Sequence, residues 1–172
     1  MTEAIKNMMV RRSVRSYKSD PVARELLMQI ADAGLWAPTG MNRQDVRFVI
    51  VTDPDVLSAV SKMNAAVMGN TGDPFYGAPA AIIVFADSQV HTYVEDGSLA
   101  MGNMLNAAAS LGLGSCWIHR AREVFDSRDG RALCRSWGIP DSYVGIGNCV
   151  VGYSDGQAPE AKPRLDGRIT EI

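Results

Sequence analysis

Cysteine and histidine are both scarce in this chain, and neither sign of charge prevails. Three cysteines (Cys116, Cys134, Cys149) and two histidines (His91, His119) are spread over 172 residues. No CxxC pair occurs and the cysteine number is odd. This argues against a disulfide framework or a structural zinc site and fits a reducing cytoplasm. The histidines stand far apart with no HxxxH spacing or carboxylate cluster, so no metal is expected. A formal net charge of −2 gives no field able to gather nucleic acid or an anionic membrane. Any anion must be held locally. The N-terminal MTEAIKNMMVRRSVRSY lacks the apolar centre of a signal peptide. Residues Gly97 to His119 carry no Asp, Glu, Lys or Arg. However, Ser98, Asn103, Asn106, Ser110, Gly112 and Gly114 interrupt them before about 20 helical residues accumulate. That run is expected to be buried rather than membrane-spanning. No nucleophile triad or paired carboxylate is visible either.

What remains is a globular composition, 47% hydrophobic and 21% charged, sufficient for one domain over 1–172 without crosslinks. A first helix is expected from Thr2 or Glu3 to about Val10, followed by extended RRSVRSY. Ser19-Asp20-Pro21 is expected to open a second helix with the stripe Val22, Leu26, Leu27, Ile30 and Gly34. Val46 to Thr52 and Ala80 to Ala86 read as strands, and Asp53-Pro54 caps a third helix between them. Asn70 to Gly77 is turn-like. Val94 to Leu111 reads as a long helix, apolar on nearly every side, which needs a second cover besides the sheet. Its small residues Gly102, Ala107, Ala108 and Ser110 would let the same helix of a second copy approach. Leu113 to Ile118 is a strand, a short helix ends at Trp137-Gly138 before Pro140, and Tyr143 to Tyr153 is a fourth strand. Helices and strands do not alternate regularly, so the class is α+β.

Three constellations carry chemistry. Arg11-Arg12-Ser13-Val14-Arg15 places planar donor forks and a hydroxyl where a phosphate would fit, and in an extended segment Arg11, Ser13 and Arg15 share a face. The bland alternative is a solvated basic stretch after a helix. Lys162-Pro163-Arg164 is either a tail kept basic for solubility or a second cationic group. If the two clusters met, they would neutralise a dianionic phosphate. The loop Pro38-Thr39-Gly40-Met41-Asn42-Arg43-Gln44 offers amide donors and acceptors, whose plainer use is to bond local backbone.

In order and spacing these pieces resemble the nitroreductase family. RRSVRSY resembles its phosphate motif, APTGMNRQ its Ala-Pro-Ser-x-x-Asn-x-Gln loop, and YGAPAAIIVFAD its strand after the substrate-facing segment. LAMGNMLNAAASLGLGSCWI resembles the dimer helix and the strand that follows, and KPRLDGRI the C-terminal arm. The resemblance runs from about Ile5 to Ile172. It implies a nitroreductase-like fold: a mostly antiparallel sheet of four strands, joined by a C-terminal strand of the partner, flanked by helices in an intertwined homodimer. It implies FMN at the dimer interface and NADH or NADPH as electron donor, with ping-pong transfer of hydride to a nitroaromatic, quinone or similar acceptor. Arg11, Ser13, Lys162 and Arg164 would hold the FMN phosphate, with Arg12 contributing. Arg15 would lie at the pyrimidine edge, where a cation stabilises developing negative charge. Pro38, Thr39 and Gly40 would pack on the ring from the other chain, and Asn42 and Gln44 would order that loop or reach the flavin edge. Asn70 would reach the ring edge, and backbone of Ile118, His119 and Arg120 its N5 and O4 positions. Phe75 and Tyr76 would form part of the substrate wall. No catalytic side chain is required; His119 is a candidate proton donor, a task water performs equally. Reductive dehalogenation, substrate oxidation, or a non-enzymatic flavin-storage or regulatory role would use the same cleft. The chain departs from the family pattern at Asp45-Val46, where Pro-Trp is usual, at Thr39-Gly40, and at His119-Arg120.

Overall fold

A strand whose residues are apolar on both faces must be covered on both faces, and AAIIVFA in the middle of the chain sets the architecture. In the computed structural model, which describes residues 1–157 and 159–172, the sheet has the order β1-β2-β4-β3 with every pairing antiparallel. Its strands are β1 (Val46–Val51), β2 (Ala80–Asp87), β3 (Gly114–Ile118) and β4 (Tyr143–Gly152). Ala81, Ile83 and Phe85 face one way, toward α3 (Pro54–Val67), α5 (Ala121–Asp126) and α6 (Arg128–Ser136). Ala80, Ile82, Val84 and Ala86 face the other, toward α2 (Arg24–Leu35) and α4 (Tyr93–Ser110). Helices on both faces of an antiparallel sheet account for the α+β composition.

Local chemistry fixes most helix ends. Thr2 caps α1 (Glu3–Val10) by accepting from the Ile5 N–H. Asp53 accepts from the N–H groups of Asp55 and Val56 with Pro54 behind it, as expected of that pair. The second helix is a correction. It begins at Arg24 after an uncapped Ala23, not at Ser19-Asp20-Pro21. Backbone pairing of Lys18 N–H with Tyr153 O and of Asp155 N–H with Ser16 O holds the chain extended there, and Val22 is already buried before the helix starts. The segment between β3 and β4 holds two helices where one was expected. Ser127 is extended and accepts from Gly130 N–H, so α5 stops and α6 starts at that residue.

The second cover of α4 comes partly from its own chain. Its Met104 lies against Gly34, where a Cβ would stand 2.9 Å from Met104 Cγ. Asn103 donates to Ala33 O and Asn7 of α1 to Asn106 O. Leu99 and Val94 stay exposed on its outer side. No helix among the described residues is long and apolar enough to cross a membrane.

Between Val84 and Phe85 the β2–β4 register shifts, so that Val84 faces Gly147 and Phe85 faces Gly145. There α5 rests on the strand, and a Cβ at Gly145 would lie 2.5 Å from Ala121 O. That atom is backbone and cannot swing aside. Gly145→Ala is therefore expected to destabilise the fold by roughly 2 kcal/mol or more, read as a lower urea midpoint at unchanged slope; an unaltered midpoint would show that α5 is not seated as described.

Candidate functional site

The basic segment is seated by backbone pairing. Ser13 bridges Ser115 in parallel, and the Val14 N–H donates to Ser115 O at 3.0 Å. Val14 occupies the space left by Gly114, whose Cβ would stand 2.9 Å from Val14 Cγ2. The buried Tyr17 hydroxyl donates to Val14 O. Held this way, Arg11, Ser13 and Arg15 gather around Cys116. Burial pushes that thiol up, and Arg15, Ser13 and Arg11 work against the rise. Arg11 Nη1 and Ser115 Oγ are both buried with no hydrogen-bond partner. A buried cationic donor without an acceptor is costly, so the seat fits an anion. Arg12 behaves differently. Its guanidinium donates to Met9 O and Arg11 O and holds the turn after α1.

At the other end of β3 the chain turns into α5. Asn148 Nδ2 donates to Ile118 O at 3.3 Å, and Asn64 Nδ2 donates to His119 O at 2.7 Å. Arg120 is left-handed, with φ +75°, and precedes α5 without a side-chain cap. His119 and Arg120 are exposed, and Arg120 pairs with Glu123 at 3.2 Å. A left-handed non-glycine residue costs roughly 1–3 kcal/mol and collects at functional turns.

The loop after α2 is more strained. Met41, Asn42 and Gln44 are all left-handed. Asn42 N–H donates to Thr39 O, Gln44 N–H to Thr39 Oγ1, and Gln44 Nε2 to Asn42 Oδ1. Both amides thus order the loop, while Pro38 and Met41 project into solvent. The loop is tied down at Gly40, whose N–H donates to Asp96 Oδ1 at 2.9 Å while Thr92 Oγ1 donates to Asp96 Oδ2 at 2.7 Å. A Cβ at Gly40 would collide with the Thr92 hydroxyl, so glycine is required.

Asp45, at the departure from the family pattern, is buried beside Asp96, and both of its carboxylate oxygens lack a hydrogen-bond partner. The expectation of no paired carboxylates is corrected here: the fold pairs two that are distant in sequence. Burial, then the neighbouring Asp96, raises the Asp45 carboxyl above its usual range, and Asp87 adds to the rise. Asp96, in turn, holds Gly40 and Thr92.

The remaining expected residues separate. Asn70 closes its own turn, accepting from Gly72 N–H. Phe75 is 3% exposed, because Asp73 accepts from the N–H groups of Phe75 and Gly77 and from the Ser61 hydroxyl, folding the segment inward, and it lines the groove beside α3. Tyr76 stays at the surface in a left-handed conformation. A groove of about 630 Å³ runs between α3 and residues 71–79, and none of Arg11, Ser13 or Ile118 lines it. Lys162 and Arg164 are exposed on a tail. Cys134 is buried and its thiol is pushed up by burial, which makes it unreactive. Asn64, Asp96 and Asn148 were not anticipated. Asn148 interrupts an otherwise apolar strand and Asn64 continues the Val60 face of α3, a signal legible in the sequence.

Asp45 gives a pH dependence whose sign follows from linkage. A carboxyl with a folded pKa above its unfolded value of about 3.9 contributes stability that is fully present below the unfolded value. That stability is lost as pH rises through the folded one. Wild type should lose stability across that rise, and Asp45→Asn, neutral throughout, should lack that component. Thermal midpoints against pH check this; parallel profiles for the two proteins would refute it.

Comparison with known proteins agrees with this geometry. A family model described as Nitroreductase family matches residues 8–72 and 64–153. A protein of Archaeoglobus fulgidus whose name joins NADH dehydrogenase and NAD(P)H nitroreductase is 33% identical over 159 residues, covering 89% of this chain and 86% of that one. The FMN reductase [NAD(P)H] of Bacillus subtilis is 28% identical over 188 residues, covering 96% and 71%. A nitroreductase of Bacteroides fragilis, solved with bound FMN, superposes with a TM-score of 0.93 at 27% identity over the full length of both chains. The chain belongs to the nitroreductase family.

Proposed function

We infer that the protein is an FMN-dependent oxidoreductase that takes electrons from NADH or NADPH and reduces a small acceptor such as a nitroaromatic or quinone. The observation that carries this is the buried, unpartnered Arg11 Nη1 beside Ser13 and Arg15, in a chain whose fold-mate holds FMN. When bound, FMN supplies hydride acceptance and delivery. The chain supplies place and charge. Arg11 and Ser13 hold the phosphate, and Arg15 offsets negative charge at the pyrimidine edge. The turn at 118–120 presents backbone donors, and the loop at 38–44 excludes water. His119, exposed beside that turn, exchanges a proton with the acceptor, as water also does.

Two copies complete the site. The exposed tail with Lys162 and Arg164, and the apolar surface of Trp36, Met8 and Leu99, support a homodimer in which both basic clusters reach one phosphate. Three unpaired, buried cysteines are compatible with a reducing cytoplasm.

Purified protein should be yellow and should be bleached anaerobically by a reduced nicotinamide, then reoxidised by a quinone. It should sediment as a dimer. Arg11→Ala should weaken FMN binding roughly 30-fold, about 2 kcal/mol for a charge-assisted contact, measured by flavin fluorescence quenching. Colourless protein that takes up no FMN removes the proposal.

A further inference from the structure

Two asparagines in the core do something that stability does not ask for. Asn64 on α3 and Asn148 on β4 are both 0% exposed. Each donates through Nδ2 to one of two consecutive carbonyls, Asn148 to Ile118 O and Asn64 to His119 O. Each leaves its own Oδ1 buried and unpartnered. Flipping either amide would set oxygen against oxygen, so the orientation is fixed by the network. An unpartnered buried carbonyl costs about 1–3 kcal/mol, and each asparagine carries one. Half-satisfied polar groups gathered at one turn, with the left-handed Arg120 beside them, mark geometry kept at the expense of stability.

The geometry they keep follows from the peptide unit. In a trans peptide the C=O and the next N–H point in opposite directions. With Ile118 C=O directed to Asn148, the His119 N–H points away from β4, toward the free edge of β3. This is the edge on which Ser115 O receives the Val14 N–H of the basic segment. With His119 C=O directed to Asn64, the Arg120 N–H points away from α3. Two adjacent donors are thus aimed outward from the same end of the strand that seats Arg11, Ser13 and Arg15.

We propose that Asn64 and Asn148 are positioning residues that lock the His119 and Arg120 peptides outward, as a donor pair for the electron-accepting ring of the flavin. This rests on the FMN reading above. Neither side chain touches the cofactor. They act through the backbone, where donors aimed at a ring that gains electron density favour its reduced state.

The test uses full-length apoprotein titrated with FMN, and the midpoint potential of the reconstituted protein, for wild type, Asn64→Ala and Asn148→Ala. Each variant is expected to bind FMN about tenfold more weakly and to lower the midpoint potential by about 30 mV, the shift for a further tenfold loss in a two-electron couple. Folded variants with wild-type affinity and potential overturn the proposal. Should either variant fail to fold, the other carries the comparison. In wild type itself the His119 and Arg120 amide resonances must move when FMN is added, and if they do not the proposal is overturned without any variant. Wild type that binds no FMN defeats the cofactor reading first, a result distinct from a wild type that binds and variants that match it.

Discussion

The site depends on one backbone pairing, that of Ser13 with Ser115. An edge strand leaves half its polar backbone unpaired, and β3 has only β4 as a full neighbour. The segment after α1 uses that vacancy for a single bridge, and Val14 fits the surface of Gly114 because glycine has no side chain there. Without that fit, three arginines in sequence would be a flexible charged run. With it, Arg11 and Arg15 are held beside the same thiol, on a strand made rigid by a sheet buried on both faces. The turn at 118–120 is the continuation of this strand, so the cationic seat and the backbone donors form one rigid unit.

The parts of the fold legible in the sequence are those decided by short-range physics. Asp53-Pro54 caps a helix because the carboxylate reaches its own first turn, and Ala80 to Ala86 is a buried strand because no helix-length segment surrounds it. The errors have tertiary causes. Ser19-Asp20-Pro21 has good capping chemistry, but the pairing of Lys18 with Tyr153 uses the backbone first. Ser127 divides a helix only because its extended conformation suits the packing of Gly130 on α5.

The site shows the same division. Arg11, Ser13 and Arg15 were legible because alternation in an extended segment is local. The acid pair was not, since Asp45 and Asp96 meet only after β1 and α4 are packed. The left-handed run at Met41, Asn42 and Gln44 leaves no signature, as none of the three is glycine. It is held by Asp96 through Gly40, and this is where strain is balanced by a buried ionisable pair. A folded domain has only about 5–15 kcal/mol to spend on such features, so their concentration in two loops is informative.

That concentration explains why the chain looks unfinished by itself. Both strained loops display exposed residues at their tips, Met41 in one and His119 with Arg120 in the other. Strain is retained when something outside the loop benefits from its shape. The turn at 118–120 continues β3, beside whose edge the buried Arg11 donor lacks an acceptor. In the loop at 38–44, Pro38 and Met41 are exposed, and exposed Trp36, at 86% accessibility, stands just before it. A bulky aromatic next to a rigid projecting loop sets an apolar anchor beside a shaped surface. The two loops thus differ in setting: one continues a strand beside an unpartnered cationic donor, and the other stands beside an exposed aromatic.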